Sequence, residues 1–467
     1  MRHVLLVDFG STFTKLTAVD LETEDIIATS KAITTVETDI TVGFEKAYWK
    51  LVAKIGHQIA FDQITACSSA AGGLKMVAMG LVEELTTEAA KRVCLGAGAK
   101  VELVLSHNIN SHEVQQILDK KIDIVLLAGG ANGGNKECVI HNAKMLAASS
   151  VTAPIVFAGN KDAVDEIERM LGEANKDFHI CDNVMPRLNV LNITSAKDTI
   201  KEVFVKNIIE AKGIKKVEQR IGKVILPTPN AVLLASELLS KGYDDEEGLG
   251  DILMVDVGGA TTDVYSLSSG LPSQANVILS GLEEPFAKRT VEGDLGMRFS
   301  VNGVLEQMSV SEVNSHKRNG IDIVTEVERR KNDTSFISET AEDDTIDDII
   351  AAKCVDVAVT RHVGQLKGVY TPMGIMYYQV GKDLTETQTV IGTGGVVISS
   401  KDPEAILRHT AKKELAPMEL RPKDPSYRLD KDYILSAMGL LSIEHPRIAL
   451  RILKRRVVDI REMKSCT

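Results

Sequence analysis

Asp256, Gly258, Gly259, Thr261, Thr262 and Asp263 crowd into one stretch, MVDVGGATTDVYSL at 254–267. A short apolar run precedes the glycines and another follows them, which is the pattern of a strand, a tight turn and a second strand. Such a turn exposes backbone N–H groups and hydroxyls between two carboxylates. Amides in a glycine turn hold phosphate oxygens, and carboxylates hold magnesium through its waters. The same chemistry recurs at 5–19, LLVDFGSTFTKLTAV, where Asp8 is followed by Gly10, Ser11, Thr12, Thr14 and Lys15.

These residues need elements to carry them. Residues 4–7 read as a strand running into Asp8, 15–19 as its return and 26–33 as a third strand. TTVETDITVG at 34–43 reads as a polar loop, or as a wall of the site through Glu37 and Asp39. An amphipathic helix is expected over 44–55. A strand over 64–68 feeds SSAAGG at 68–73, a strand end of the kind where open α/β sheets place ligands; Lys75 follows, in reach of a phosphate or in solvent. Residues 82–95 read as a helix broken by Gly96 and Gly98. A buried-type strand over 122–127 enters Gly129 and Gly130; a helix (137–148), a strand (155–158) and helices over 162–171 and 195–210 follow.

PTPN at 227–230 punctuates the chain before a small-residue helix over 231–239, and YDDEE at 243–247 reads as a solvated acidic loop. The mixed-charge run 281–298, with Lys288, Arg289, Glu292, Asp294 and Arg298, reads as a surface helix or loop, or as an element touching adenosine or a partner. An acidic loop at 342–348 leads into a helix. Residues 389–398 read as a strand, a turn through Gly392, Thr393, Gly394 and Gly395, and a further element, and 433–442 as a second small-residue helix. The basic run 447–464 has apolar residues at helical spacing and reads as a surface helix.

The chain has 467 residues, 44% hydrophobic and 25% charged, enough for more than one globular domain. Its net charge of −11 speaks against a sequence-independent nucleic-acid binder. No two of the six cysteines are close enough for a C-x-x-C site, so a reduced, cytoplasmic compartment is expected, without a zinc or iron–sulfur cluster. Neither a signal peptide nor an apolar run of membrane-spanning length is read from the sequence, so no membrane partner is expected.

The elements line up as two halves. Asp8 and its loop pair with Asp256 and its loop; Gly129–Gly130 pair with Gly394–Gly395; the small-residue helix at 231–239 pairs with the one at 433–441. This suits two related α/β domains facing a shared cleft, where a bridging nucleotide favours closure. The expected division is 1–245 with an insertion at about 150–220, 246–445 with an insertion at about 300–385, and a C-terminal basic helix over 446–467.

The set resembles the actin/Hsp70/sugar-kinase ATPase superfamily. DFGSTFTK at 8–15 and DVGGATTD at 256–263 are similar to its two phosphate motifs, PTPNAVLLASELL at 227–239 and YILSAMG at 433–439 to its connecting helices, and IGTGG at 391–395 to its adenosine motif. Within it, TTVETDITVG, SSAAGGLKM, LLAGGANGG and RTVEGDLGMR resemble the MutL/GlmL proteins associated with adenosylcobalamin-dependent glutamate mutase. The resemblance implies two duplicated actin-like (ribonuclease H-like) domains around a central nucleotide cleft. It also implies a reactivating, chaperone-like ATPase that uses ATP/ADP and Mg2+ to eject inactivated cobalamin from a mutase. By the same resemblance, Asp8 and Asp256 would hold magnesium-bound waters. Gly10, Ser11, Thr12, Thr14 and Lys15 would meet the phosphates from one side, and Gly258, Gly259, Thr261 and Thr262 from the other. Asp256 or Asp263 would orient the attacking water, and Gly392, Thr393, Gly394 and Gly395 would pass beneath the adenosine. One position departs: the Glu that precedes Pro–Thr in the Hsp70-like pattern is Leu226 here. Other readings on the same fold are a small-molecule kinase, an electron-transfer activator of a radical dehydratase, for which the cysteine spacing gives no support, and a nucleotide-binding scaffold or cytoskeletal protein.

Overall fold

The computed structural model describes residues 2–10, 12–35, 40–69, 74–211, 224–372 and 374–465. The expectations placed on Ser11, Glu37, Asp39 and the glycines at 72 and 73 fall outside them. The chain divides into two compact units, 1–232 and 233–467.

In the first unit, β1 (His3–Phe9), β2 (Phe13–Asp20) and β3 (Asp25–Ile33) form an antiparallel meander. Every residue of β1 from Val4 to Phe9 is buried, as a strand covered on both faces requires. The helix Ile40–Ile55 then leads to β4 (Gln63–Ser68), parallel to β1. It starts at Ile40 rather than at 44, so part of the expected polar loop is its first turn.

Between β4 and the strand that completes this sheet lie β5 (Lys75–Gly80), β6 (Lys100–Ser106), β7 (Ile124–Leu127), β8 (Ile155–Phe157) and β9 (Phe178–Ile180). They form a separate, all-parallel sheet in the order β6-β5-β7-β8-β9. Its core includes Val77, Met79, Val125, Leu127, Ile155 and Phe157, with Ile167 and Leu171 from the helix Val164–Glu173. The chain returns to the first sheet with β10 (Val224–Pro227), giving the order β10-β4-β1-β2-β3.

The second unit opens with a two-strand hairpin, β11 (Gly242–Tyr243) and β12 (Glu246–Glu247), followed by β13 (Ile252–Val257), β14 (Thr262–Leu267), β15 (Val277–Ser280) and β16 (Ala287–Glu292). Then come β17 (Gln365–Thr371), β18 (Gly374–Val380), β19 (Thr389–Thr393), β20 (Ser426–Asp430) and β21 (Val457–Asp459). The main sheet runs β16-β14-β13-β19-β20-β21, and β15-β18-β17 form a small one. Strands β13, β14 and β16 are antiparallel, while β19 and β20 are parallel to β13. This is the plan of β1, β2, β3, β4 and β10 over again, so the α/β fold is duplicated as expected.

One expected pairing of the halves does not hold. Gly129–Gly130 follow β7, in the inserted sheet, and are not the counterpart of Gly394–Gly395 after β19. The counterpart of β19 is β4: Asp8 pairs with Cys67 as Asp256 pairs with Thr393. Nor is the mixed-charge run a surface helix or loop; it contributes the strand β16, and Arg289 there is 6% exposed. The acidic YDDEE is a hairpin whose Asp244, Asp245 and Glu246 pair with Arg447 and Arg451 of the helix Pro446–Arg456. The basic tail is likewise not one helix: β21 interrupts it, pairing antiparallel with β20 before the helix Ile460–Ser465.

Lys382 is fully buried where the small sheet meets the main one. Its ammonium donates to Phe286 O (2.6 Å), Ser266 O (3.1 Å) and Ser266 Oγ (3.3 Å), all neutral acceptors. His362 contacts the same Ser266 Oγ through Nε2 (2.8 Å), and Lys288 pairs with Glu284 alongside. Burial, and next the charge of Lys288, bring the Lys382 pKa down to about 7, against the opposite pull of Glu284 and Asp251. Burial likewise holds His362 well below its usual value. An unfolded lysine titrates near ~10.4. Between pH 7 and 10 the unfolded chain therefore binds the extra proton, and stability rises with pH by up to about 1.4 kcal/mol per unit for this one group. Thermal unfolding of the second unit followed from pH 7 to 10 is expected to show this rise in the unaltered protein and a flatter profile in Lys382→Met; parallel profiles would remove Lys382 as the cause.

Candidate functional site

Both phosphate-type loops are built by the same turn. Gly10 N donates to Phe13 O (3.1 Å), and Gly258 N donates to Thr261 O (2.9 Å). A Cβ on Gly10 would stand 2.7 Å from Phe13 O, which requires glycine there, and one on Gly258 3.0 Å from Thr261 O, a close fit that favours it. Because the strands re-pair at once, the first carboxylate faces a fixed partner across the ladder. Asp8 sits opposite Lys15, and Asp256 sits opposite Asp263.

The two loops neutralise that carboxylate differently. Lys15 Nζ lies 3.4 Å from Asp8 Oδ2. Asp8 Oδ1 accepts from Thr228 Oγ1 (2.7 Å) and from the Cys67 thiol (3.6 Å). Burial, then the neighbouring Asp8 charge, push the Cys67 thiol well above its usual range, so it remains a neutral donor. In the second unit two carboxylates stand opposite each other, an arrangement that repels unless a cation intervenes. The buried Arg289 supplies it: Nη2 lies 2.6 Å and Nε 2.8 Å from Asp263 Oδ1, and Thr261 Oγ1 donates to Asp263 Oδ2 (3.2 Å). Asp263 is thus held in place by two residues, whereas Asp256 Oδ1 is buried beside Gly394, where an added Cβ would be 2.9 Å away.

The row on the sheet continues past β4 and β19. Leu226, at the place of the absent Glu, pairs with Cys67. In the second unit Thr393 Oγ1 donates to Asp430 Oδ2 (3.1 Å) at the end of β20. Asp430 also accepts from Ile434 N and Leu435 N at the start of the helix Leu435–Leu441. That carboxylate is fully buried and fixes the helix start.

Not every expected residue faces outward. Thr14 and Thr262 occupy equivalent positions, opposite Phe9 and Val257. Both are buried: Thr14 Oγ1 meets Thr34 Oγ1 (3.1 Å), and Thr262 Oγ1 donates to Leu295 O (2.9 Å). Thr12 is exposed, with its carbonyl accepting from Thr34 N. Gly392 is packed against Leu407 and Val397, whereas Gly394 (φ +97°) approaches the Val257 backbone, and Gly395 has open space above it. Of the glycines in the adenosine-type turn, Gly395 is the one with room for a ligand.

The second loop is also braced from behind. Met297 N donates to Gly258 O, Arg298 N and Phe299 N to Gly259 O, and Ser300 Oγ to Ala260 O. These bonds occupy the loop's carbonyls. Gly296 makes the approach possible, since a Cβ there would lie 2.5 Å from the Ala260 carbonyl carbon. Arg298 anchors the brace through Asp347 (2.8 Å), which also accepts from the buried Arg330 (2.6 Å). Sequence reasoning singled out RTVEGDLGMR as a block and, within the charge run, Arg289 and Arg298, but not the backbone bonds that Gly296 admits. The bonds of Thr228 and Cys67 to Asp8 and of Thr393 to Asp430 carried no signal, because nothing local links partners so far apart along the chain.

Removing one partner of a buried ion pair leaves the other uncompensated, at about 3–5 kcal/mol. Arg289→Met and Asp263→Asn are each expected to destabilise the second unit by that order in urea unfolding, and the double variant by clearly less than the sum. Additive losses would show that the pair is not coupled.

The residues present fit a magnesium nucleotide: paired carboxylates at strand ends, glycine turns and free-standing Gly395. Among solved structures, the chain is loosely similar to an acetone carboxylase (TM-score 0.41, 12% identity, 94% of this chain and 70% of that one). It is also loosely similar to a gluconate kinase from Lactobacillus acidophilus (TM-score 0.35, 11% identity, 97% and 92%). Likenesses this distant say nothing of function. In sequence it is 50% identical over 462 residues to Protein MutL of Clostridium tetanomorphum, covering 98% of this chain and 100% of that protein. The family model of the MutL protein matches residues 4–457, and the chain belongs to that family.

Proposed function

We propose that the chain is an ATP-dependent reactivating chaperone that releases damaged cobalamin from an adenosylcobalamin-dependent mutase, with glutamate mutase as the client. The observation that carries the nucleotide part is the repeated strand–turn–strand, with Asp8 and Asp256 at the same register position beside glycine turns. Membership of the MutL family supports the client.

In this reading Asp8 and Asp256 hold the water shell of magnesium, which supplies charge neutralisation to the phosphates. Lys15 is a mobile counter-charge: it rests on Asp8 and turns to an incoming phosphate. The Gly259 amide meets phosphate oxygens, the Gly258 amide being committed to Thr261 O, while the brace from Met297 to Ser300 keeps the loop's carbonyls turned away. Asp256, rather than Asp263, orients the attacking water, because Asp263 is committed to Arg289 and Thr261. With Leu226 at the Glu position, turnover is slow and nucleotide occupancy matters more than rate. The protein works in the cytoplasm on a soluble client; among the described residues no helix is long and apolar enough to cross a membrane.

Two measurements test this. Glutamate mutase inactivated with hydroxocobalamin, given the protein, ATP, magnesium and fresh adenosylcobalamin, is expected to recover activity; no recovery where a known reactivator succeeds rejects that client. Asp256→Ala is expected to lower ATP turnover by about 100-fold or more with the fold intact by circular dichroism. An unchanged rate takes Asp256 out of the chemistry.

A further inference from the structure

The small sheet of the second unit carries an edge that the rest of the fold does not use. Strands β17 (QLKGVYT) and β18 (GIMYYQV) form a hairpin, and β15 lies on the far side of β18, so β17 is an outer strand. The segment 418–420 covers the start of that edge: Leu366 N donates to Met418 O and Leu420 N to Gly364 O, both 2.9 Å. Backbone groups alternate in direction along a strand, so those of Gly368 and Tyr370 point outward like those of Leu366. Among the described residues nothing bonds to them from beyond the sheet.

Open edges template pairing with another chain and are normally blunted by charge, proline or a covering element. Over 367–371 the only such device is Lys367, the single charge of the hairpin. The surface around it is apolar: Val369 is 46% exposed, Ile375 48% and Tyr370 87%.

This edge is complementary to itself. Turned about a two-fold axis through Val369, two copies of 367–371 pair antiparallel, with Gly368 of each opposite Tyr370 of the other. Their outward N–H and C=O groups then satisfy one another, with none left over. The side chains fit the same register. Gly368 is flanked on its own hairpin by Ile375 and Tyr377, whose atoms lie 3.4 and 3.5 Å from where a Cβ would stand. This leaves a strip of bare backbone between apolar side chains, on the face to which Tyr370 also belongs. The Tyr370 ring of the second copy lands on that strip, an aromatic covering a cross-strand glycine and packing beside another aromatic. On the opposite face Val369 meets Val369, and Lys367 falls opposite Thr371, so no like charges oppose each other.

We infer that the 367–371 edge joins two copies of this chain, antiparallel and two-fold, into one sheet continuous across β17. This pairing needs neither nucleotide nor client. An edge contact this short stays below the about 1,200 Å2 of a stable interface, so the dimer is weak and concentration-dependent.

Sedimentation velocity of the full-length protein across the micromolar range is expected to show reversible monomer–dimer exchange. Val369→Lys, which opposes two cations on the axis, and Tyr370→Asp, which removes the ring, are each expected to weaken it by about tenfold or more, with circular dichroism unchanged. Cross-linking tests the register in a chain that needs no new charge. The Val369 pair exchanges no hydrogen bonds, and the Cα atoms of such a pair stand ~4.5 Å apart, within disulfide range. Val369→Cys is therefore expected to give a covalent dimer on mild oxidation, above the level of the unaltered chain, and Lys367→Cys is not. A chain that stays monomeric at every concentration, a dimer that both charged variants leave intact, or Lys367→Cys cross-linking as readily as Val369→Cys overturns the assignment. So does a monomer whose 368–370 amides are protected from hydrogen exchange by added glutamate mutase, which would make this edge a client site.

Discussion

A strand that reverses within one tight turn cannot choose what its last carboxylate faces. Gly10 N to Phe13 O and Gly258 N to Thr261 O close the two turns, and the ladder then sets Asp8 against Lys15 and Asp256 against Asp263. Much of what surrounds each loop follows from that opposition. In the first unit the facing residue is itself the counter-ion. In the second it is another acid, so β16 must bring in a buried arginine, and Arg289 in turn must be shielded by Tyr265 and the strands about it. Two halves with one topology have thereby diverged: a lysine counter-ion on one side, a buried arginine ion pair on the other.

Lys15 is 18% exposed, and the Asp8 it faces, only 3% exposed, keeps Thr228 and Cys67 as further donors. Arg289 is 5% exposed and lies against an Asp263 that is 13% exposed, so here it is the cation that is the more deeply buried. The second loop is held further by the brace from Met297 to Ser300 and the Arg298–Asp347–Arg330 cluster behind it. Phe336, with the guanidinium carbons of Arg298, Arg329 and Arg330 at 5.5, 4.4 and 5.0 Å from its ring centre, gives that cluster a neutral surface to stack on.

The loops were legible in the sequence because their chemistry is local. Glycine, hydroxyl and carboxylate fall within eight residues, and apolar runs on either side announce the strands. The halves were legible for the same reason, but their pairing was misread at Gly129–Gly130. A glycine-rich loop after a Val/Leu/Ile strand is what any parallel α/β strand tends to have, so the motif could not say which sheet it belonged to. Strands β5 and β6, KMVAMG and KVELVLS, went unread because short apolar runs carry no periodicity of their own. Arg289 was hidden in a run of charges, where burial is the exception. YDDEE is solvated as read, and its pairing at the surface with the arginines of 447–451 is what the sequence did not show.

The three-residue strand β21 closes the last edge of the second unit's main sheet by pairing with β20. On the ribosome it appears after every other strand of that sheet. Until then β20 presents a bare row of amides and carbonyls to whatever passes. The first unit's sheet waits only for β10, before any strand of the second unit exists. Synthesis thus imposes an order, with the Asp8 half complete early and the Asp256 half last, and makes the nascent second unit the stage at which this chain is most exposed to wrong partners.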